Sequence, residues 1–128
     1  MKKEFVPYDI AVALKELGFD ESCFAIFNEK MNNEITFLEG IQRKNSTYKN
    51  VVTAPLYQQS LRWFREKYNI DSEIYMNHEF GNKFYTYLIL ELKGMAIDWE
   101  SEPSHRFTSY EEAEDGCLKE LIEIVKNK

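Results

Sequence analysis

Long apolar runs are missing from this sequence. The most apolar stretch, Phe84 to Leu92, includes polar and aromatic positions and is far shorter than the roughly 20 residues that a transmembrane helix needs. The N-terminal residues Met1 to Glu4 lead into a helical pattern without the apolar core or the cleavage site of a secretory signal. We therefore expect a soluble, cytoplasmic protein that does not bind a membrane.

Cysteine, histidine and glycine are also scarce. Cys23 and Cys117 lie far apart, and without an export signal they are expected to be buried thiols and not a disulfide. Neither the cysteines nor His78 and His105 form the close pairs that hold zinc, so we expect no metal site. The five glycines are scattered singly, and no phosphate-binding loop or hydrolase motif is present. The sequence thus predicts no cofactor and no catalytic residues.

Positive charge is in deficit. A net charge of -6 disfavours nucleic-acid binding through the whole surface, because such binding needs a field of Lys and Arg. A local basic patch is left as an alternative hypothesis, in which cations contact phosphate while an aromatic ring stacks on a base. Its candidate residues lie in a polar loop and on one helix face: Arg43, Lys44, Tyr48, Lys49, Arg62 and Arg65.

Aromatic residues, by contrast, are abundant. With 8 Tyr, 9 Phe and 2 Trp, the chain has enough apolar area for one core, and its length is typical of one domain, residues 1–128.

Three segments show helical periodicity. The first runs from Tyr8 to Leu17 and is stopped by Gly18. The second has Thr53 as a candidate N-cap and Pro55 in its first turn, followed by an apolar face through Tyr68. The third opens with the capping box Ser109 to Glu112. Gly116 weakens that helix by about 1 kcal/mol relative to Ala, which indicates either a close approach to a neighbour or nothing at all.

Strand-like runs fill much of the remainder, and Gly40–Asn50 is predicted as a loop. The predicted strands are Cys23–Asn28, Glu34–Glu39, Glu73–Glu79, Phe84–Leu92 and a short fifth at Met95–Trp99. The order α-β-β-α-β-β-(β)-α, with short hairpin links, predicts an α+β fold with three helices on an antiparallel sheet of four or five strands.

Two hypotheses about function start from the strands. Tyr75, Tyr85, Tyr87 and Trp99 are candidates for a protein-binding surface, because Tyr and Trp dominate interface hot spots. The alternative is that a helix of the same chain covers these residues.

Acidic residues near a strand end support a second, enzymatic alternative. Asp98 and Glu100, joined by His78 or His105, are of the types used in acid–base chemistry, provided that they converge in one pocket. Ordinary solvated surface is the competing interpretation.

Three motifs lie at the beginning, middle and end of the chain: Tyr8–Ala11 with Leu14–Glu21, Ala54–Pro55 with Gln59 and Trp63–Ile70, and Tyr110–Ala113. Together they resemble a group of small uncharacterised proteins encoded in Bacteroides genomes, their prophages and phages. Pro7 departs from the serine-type helix cap of that group. The resemblance implies a phage or mobile-element accessory protein and brings no catalytic residues. Together with the missing motifs, it favours a non-enzymatic protein that acts through an unidentified protein partner or self-association.

Overall fold

The computed structural model describes residues 2–28, 32–46, 50–93, 96–100 and 106–128, with the backbone alone at 2, 92–93 and 96–100. After a single 3-10 turn at Lys2–Glu4, the described elements are α1 (Tyr8–Glu16), β1 (Ala25–Asn28), β2 (Glu34–Phe37), β3 (Val51–Thr53), α2 (Tyr57–Tyr68), β4 (Ile70–Glu79), β5 (Asn82–Lys93), β6 (Ala96–Glu100) and α3 (Tyr110–Lys126).

The chain forms two compact units, Met1–Gln59 and Ser60–Lys128. The first contains a three-stranded sheet in the order β2-β1-β3, and the second contains a three-stranded sheet in the order β4-β5-β6. Every strand pair is antiparallel. The predicted α+β class, three helices and antiparallel pairing are therefore confirmed, whereas one sheet of four or five strands is not. The expectation of a single domain stays a prediction.

Strand β3, which the sequence pattern did not predict, is part of the reason why the strands form two sheets and not one. The β-branched run Val51–Thr53 pairs with β1, so Thr53 is the end of a strand and its prediction as the N-cap of α2 is wrong. Gln59, at the third position of α2, performs the capping. Its Oε1 accepts a hydrogen bond from the Leu56 N–H at 3.4 Å, and its Nε2 donates to the Ser22 carbonyl at 3.0 Å.

Helix α1 begins and ends as the sequence predicts. Leu17 keeps helical geometry, Gly18 takes a φ of 96°, and the Phe19 N–H donates to the Leu14 carbonyl at 2.9 Å. This left-handed ending places the buried Phe19 ring against the core side of the unit.

The described part of the predicted loop, residues 40–46, is fixed by backbone and side-chain hydrogen bonds. Asn45 is buried, with Nδ2 donating to the Phe19 carbonyl at 2.8 Å and Oδ1 accepting from the Thr53 N–H at 2.9 Å. Arg43 exchanges two backbone hydrogen bonds with Cys23. One amide side chain thus joins the end of α1 to strand β3.

Strands β4 and β5 form a ten-pair ladder closed by a two-residue loop. Glu79 pairs with Asn82, and the intervening Phe80 and Gly81 have φ values of 51° and 80°. Positive φ at both loop residues is what a type I′ turn requires, and that turn matches the twist of the strands. The hairpin predicted at Phe80–Lys83 is therefore confirmed, with strands longer than predicted.

Helix α3 begins at the predicted cap. The Ser109 Oγ accepts from the Glu112 N–H at 3.1 Å, while the Glu112 carboxylate reaches back to the Thr108 hydroxyl at 2.8 Å, and not to Ser109.

No helix in the described part of the chain combines the length and apolarity needed to cross a bilayer.

Helix α2 buries a broad apolar face. Phe64 is completely inaccessible to solvent, and Trp63, Leu61 and Tyr57 are also buried. The Trp63 ring packs edge-on to Phe64 at 5.1 Å between centroids. Two adjacent large rings can both be buried only on such a broad face, since neighbours on a helix lie about 100° apart.

We predict that Phe64→Ala lowers the free energy of unfolding by about 3 to 5 kcal/mol, because the ring leaves a cavity that the core fills incompletely. Glu66→Ala, on the exposed side of the same helix, should change it by less than about 0.5 kcal/mol. Urea denaturation of both variants tests this, and equal stabilities would contradict the packing of α2.

Gly116 in α3 lies under the ring of Phe107. A Cβ at this position would lie 2.6 Å from the Phe107 Cζ. The Phe107 backbone exchanges two hydrogen bonds with Tyr85, and its ring packs on Tyr87 at 6.0 Å between centroids. Of the two alternatives that the sequence leaves open at Gly116, the close approach to a neighbour is the one that the structure shows.

We therefore predict that Gly116→Ala lowers the free energy of unfolding by about 1 kcal/mol, since the clash outweighs the gain of about 1 kcal/mol in helix propensity. In a Phe107→Leu background the same substitution should instead be neutral or stabilising. Thermal unfolding of the four proteins checks the cycle, and a stabilising Gly116→Ala in the native background would contradict it.

Candidate functional site

The second sheet has two faces that differ in what covers them. Register places Ile74, Met76, Tyr85 and Tyr87 on one face and Tyr75, Phe84 and Thr86 on the other. Contacts of Tyr87 and Tyr85 with α3 identify the first as the face that the helix covers. The predicted aromatic set is therefore divided between two faces and does not form one surface.

Tyr87 and Tyr85 lie beneath or beside α3. Tyr87 is 4% exposed, and its hydroxyl donates a hydrogen bond to the Glu120 carboxylate. Tyr85 is half-buried, with its ring edge-on to Tyr110 at 6.1 Å and the Lys83 ammonium 5.2 Å from its centroid. The covering helix considered as an alternative in the sequence is present, and it accounts for Tyr87 in full.

Tyr75 lies on the opposite face, where it borders a depression of about 270 Å³. Phe84 and Thr86 also line it, and Arg106 lies over the Phe84 ring at 4.4 Å while pairing with the Glu79 carboxylate. Trp99 pairs in register with Leu90 and so occupies a backbone position on this same face. Its side chain is outside the described part.

The outer end of the β4–β5 hairpin, residues 75–84, carries exposed apolar side chains that the sequence reasoning did not select. Phe80 is 95% exposed, Met76 53% and Tyr75 37%. The sequence pattern identifies Phe80 as a turn residue. An aromatic residue at a turn position that favours Asn or Gly is the sequence signal that also points to Phe80 as a site residue. We call residues 75–84 the hairpin end.

The basic candidates are distributed between the two units. Lys44 is exposed and Arg43 half-buried in the first unit, whereas Arg62 and Arg65 are exposed one turn apart on α2, in the second. Tyr48 and Lys49 lie outside the described residues. Nucleic-acid binding through these residues stays a prediction.

The acidic and imidazole candidates do not converge where their backbone is described. On β5, His78 lies opposite Lys83 and Asp98 lies opposite Glu91. Lys83 and Glu91 are eight positions apart along that strand. At about 3.4 Å per residue this separates His78 from Asp98 by about 27 Å. The side chains of Asp98 and Glu100, and all of His105, lie outside the described part, within which no cluster of potential metal ligands occurs.

Both cysteines are buried free thiols, as expected. Burial raises the pKa of Cys23 from 9.0 to about 11, and burial raises the pKa of Cys117 from 9.0 to about 12. A nucleophilic cysteine needs a lowered pKa and access to substrate, and neither thiol has these properties.

We predict that a thiol-modifying reagent at pH 8 leaves both cysteines unmodified in the native protein and labels both in denaturant. Rapid labelling of the native protein would contradict the burial.

The raised pKa values also predict an alkaline loss of stability. Above pH 9 the unfolded thiols ionise while the folded ones do not, so the free energy of unfolding falls as pH rises. Cys23→Ala should flatten this fall between pH 9 and 11 relative to the native chain.

Comparisons with family models, with curated proteins and with solved structures gave no match. The resemblance to proteins of Bacteroides and their phages stays a prediction, and the hairpin end is identified as a candidate site from its own geometry.

Proposed function

We propose that this chain is a non-enzymatic protein that acts by binding another protein through the hairpin end. The observation that carries the proposal is Phe80, whose ring is 95% exposed at the tip of a tight turn. An accessory role in a phage or mobile element, as the resemblance implies, is part of the same proposal.

The backbone conformation and the exposure of Phe80 destabilise the fold, and a binding role would explain why such a residue is present. Its φ of 51° is left-handed, a conformation that costs a bulky L-residue about 1 to 2 kcal/mol and that Asn or Gly adopts more easily. The ring is nearly fully exposed, so little of this cost is offset by burial. Strained residues and exposed apolar groups concentrate at functional sites.

Neighbouring side chains extend the apolar area around Phe80. Met76 and Tyr75 are exposed on opposite faces of the same hairpin, and Met is a residue that adapts to irregular partner surfaces. Tyr75 adds a rigid ring with a polar end beside the depression that holds Arg106. A partner that encloses the hairpin end would therefore meet aromatic rings, a thioether and the Arg106 guanidinium, which are groups enriched at interface centres.

We predict that Phe80→Asn has opposite effects on stability and binding. The change creates an Asn-Gly type I′ turn, so the free energy of unfolding should rise by about 1 kcal/mol. In pull-downs from a Bacteroides lysate, proteins retained by the native chain should be lost with Phe80→Asn.

Phe24→Asn is the matched control, because it removes a half-exposed ring from the first unit and should leave the retained proteins unchanged. The proposal is wrong if Phe80→Asn retains the same proteins as the native chain, or if turnover of a substrate is found while no macromolecule is retained.

A further inference from the structure

We propose that the partner binds by adding a strand to the free edge of β4, and that this strand carries Lys or Arg at alternate positions. This inference rests on the proposed function and specifies how the hairpin would engage its partner. In the β4-β5-β6 sheet, β4 is an edge strand, with β5 as its one strand neighbour among the described residues.

The hydrogen-bond pattern shows which backbone groups of β4 point to this edge. A two-residue loop makes its flanking pair, Glu79 and Asn82, hydrogen-bonded, so the pairs alternate from there. The N–H and C=O groups that point away from β5 are those of alternate residues: Ile70, Ser72, Ile74, Met76 and His78.

Two contacts agree with this assignment. Tyr85, which lies opposite Met76, uses its own N–H and C=O on Phe107, on the far side of β5. The His78 N–H is taken by the Asn77 Oδ1 at 2.8 Å, as an amide at an unpaired edge would be. Among the described residues, the backbone groups of Ile74 and Met76 that face this edge have no hydrogen-bond partner, so an added strand can use them.

Edge strands are usually protected from such pairing by charged side chains, Pro or a bulge. Strand β4 contains neither Lys nor Pro, and its ten register pairs with β5 run without interruption. Its carboxylates, at Asp71, Glu73 and Glu79, repel an acidic strand and not a basic one. A long, regular edge of this kind is a template for an incoming strand.

Charge selects the occupant. Asp71 and Glu73 are exposed on the face of β4 that α3 does not cover, while the half-buried Ile74 and the exposed Met76 lie on the other. An added strand with Lys or Arg on the first face and apolar residues on the second would complement both. A second copy would not, because β4 contains no Lys or Arg to place beside Asp71 and Glu73 in any register.

The test uses the full chain and a short synthetic peptide that alternates lysine with valine, compared with one that alternates glutamate with valine. Fluorescence anisotropy should show binding of the lysine peptide at low salt, weakened at high salt, and no binding of the glutamate peptide. Asp71→Asn and Glu73→Gln should each weaken binding by about 2- to 5-fold, the range of one exposed ion pair.

Met76→Pro removes one outward N–H, and an edge position tolerates proline, so we expect native-like melting and at least 10-fold weaker binding of the lysine peptide. Met76→Ala is the matched comparison: it also loses the thioether side chain but keeps the N–H, so it should bind the lysine peptide at least about 3-fold more tightly than Met76→Pro. Equal binding by both variants would overturn the edge mode while leaving the role of Phe80 intact.

Amide hydrogen exchange gives a readout that does not depend on a variant. The Ile74 and Met76 amides should exchange rapidly in the free protein and become protected with the lysine peptide, while the Tyr75 amide is protected in both. Protection confined to α3 would overturn the proposal. So would dimerisation in analytical ultracentrifugation that Met76→Pro abolishes, because the occupant would then be a second copy.

Discussion

The ladder between β4 and β5 is the constraint on which the candidate site depends. Its ten pairs are set by the two-residue loop at Phe80 and Gly81, and the side-chain period of a strand is two residues. A shift of one residue would move Tyr87 from beneath α3 to the opposite face and would bring Thr86 under the helix. The turn therefore decides which aromatic rings are core and which are exposed.

Helix α3 completes this division by covering one face only. Its apolar stripe of Ala113, Cys117, Leu118, Leu121 and Ile122 is buried, and it packs against both β4 and β5. Gly116 lets the helix approach Phe107, whose backbone is fixed to Tyr85. The covered face is thus built from tight apolar contacts, while the hairpin end extends past them with exposed side chains on both sides.

In the first unit, side-chain hydrogen bonds hold the chain segments together where the strands are short. Its strands have three or four residues each, too short to hold long connections by pairing alone. The buried amide of Asn45 and the side chain of Gln59 supply hydrogen bonds between segments distant in sequence. Buried backbone groups need such partners, so polar side chains here serve the fold.

The sequence by itself determined the local structure, because local signals are strong. Gly18, the Ser109 cap and the glycine-containing turn at Gly81 mark boundaries within a few residues of chain, and the α+β class follows from the order of elements. The burial of Phe64 was also readable, since apolar periodicity assigns a helix face before any partner is known. The burial of both cysteines follows from the general burial of free thiols.

Tertiary structure alone decided the rest. The three-residue β3 has too little periodicity to be recognised in the sequence. It pairs with β1 residues that are 20 or more positions away in the sequence, so the sequence pattern could not predict the division into two sheets. The tyrosines of β4 and β5 look alike in sequence. Register and the position of α3 make Tyr87 core and leave Tyr75 exposed, and the loop conformation places Phe80 in solvent, because burial depends on what packs against a side chain and not on its type.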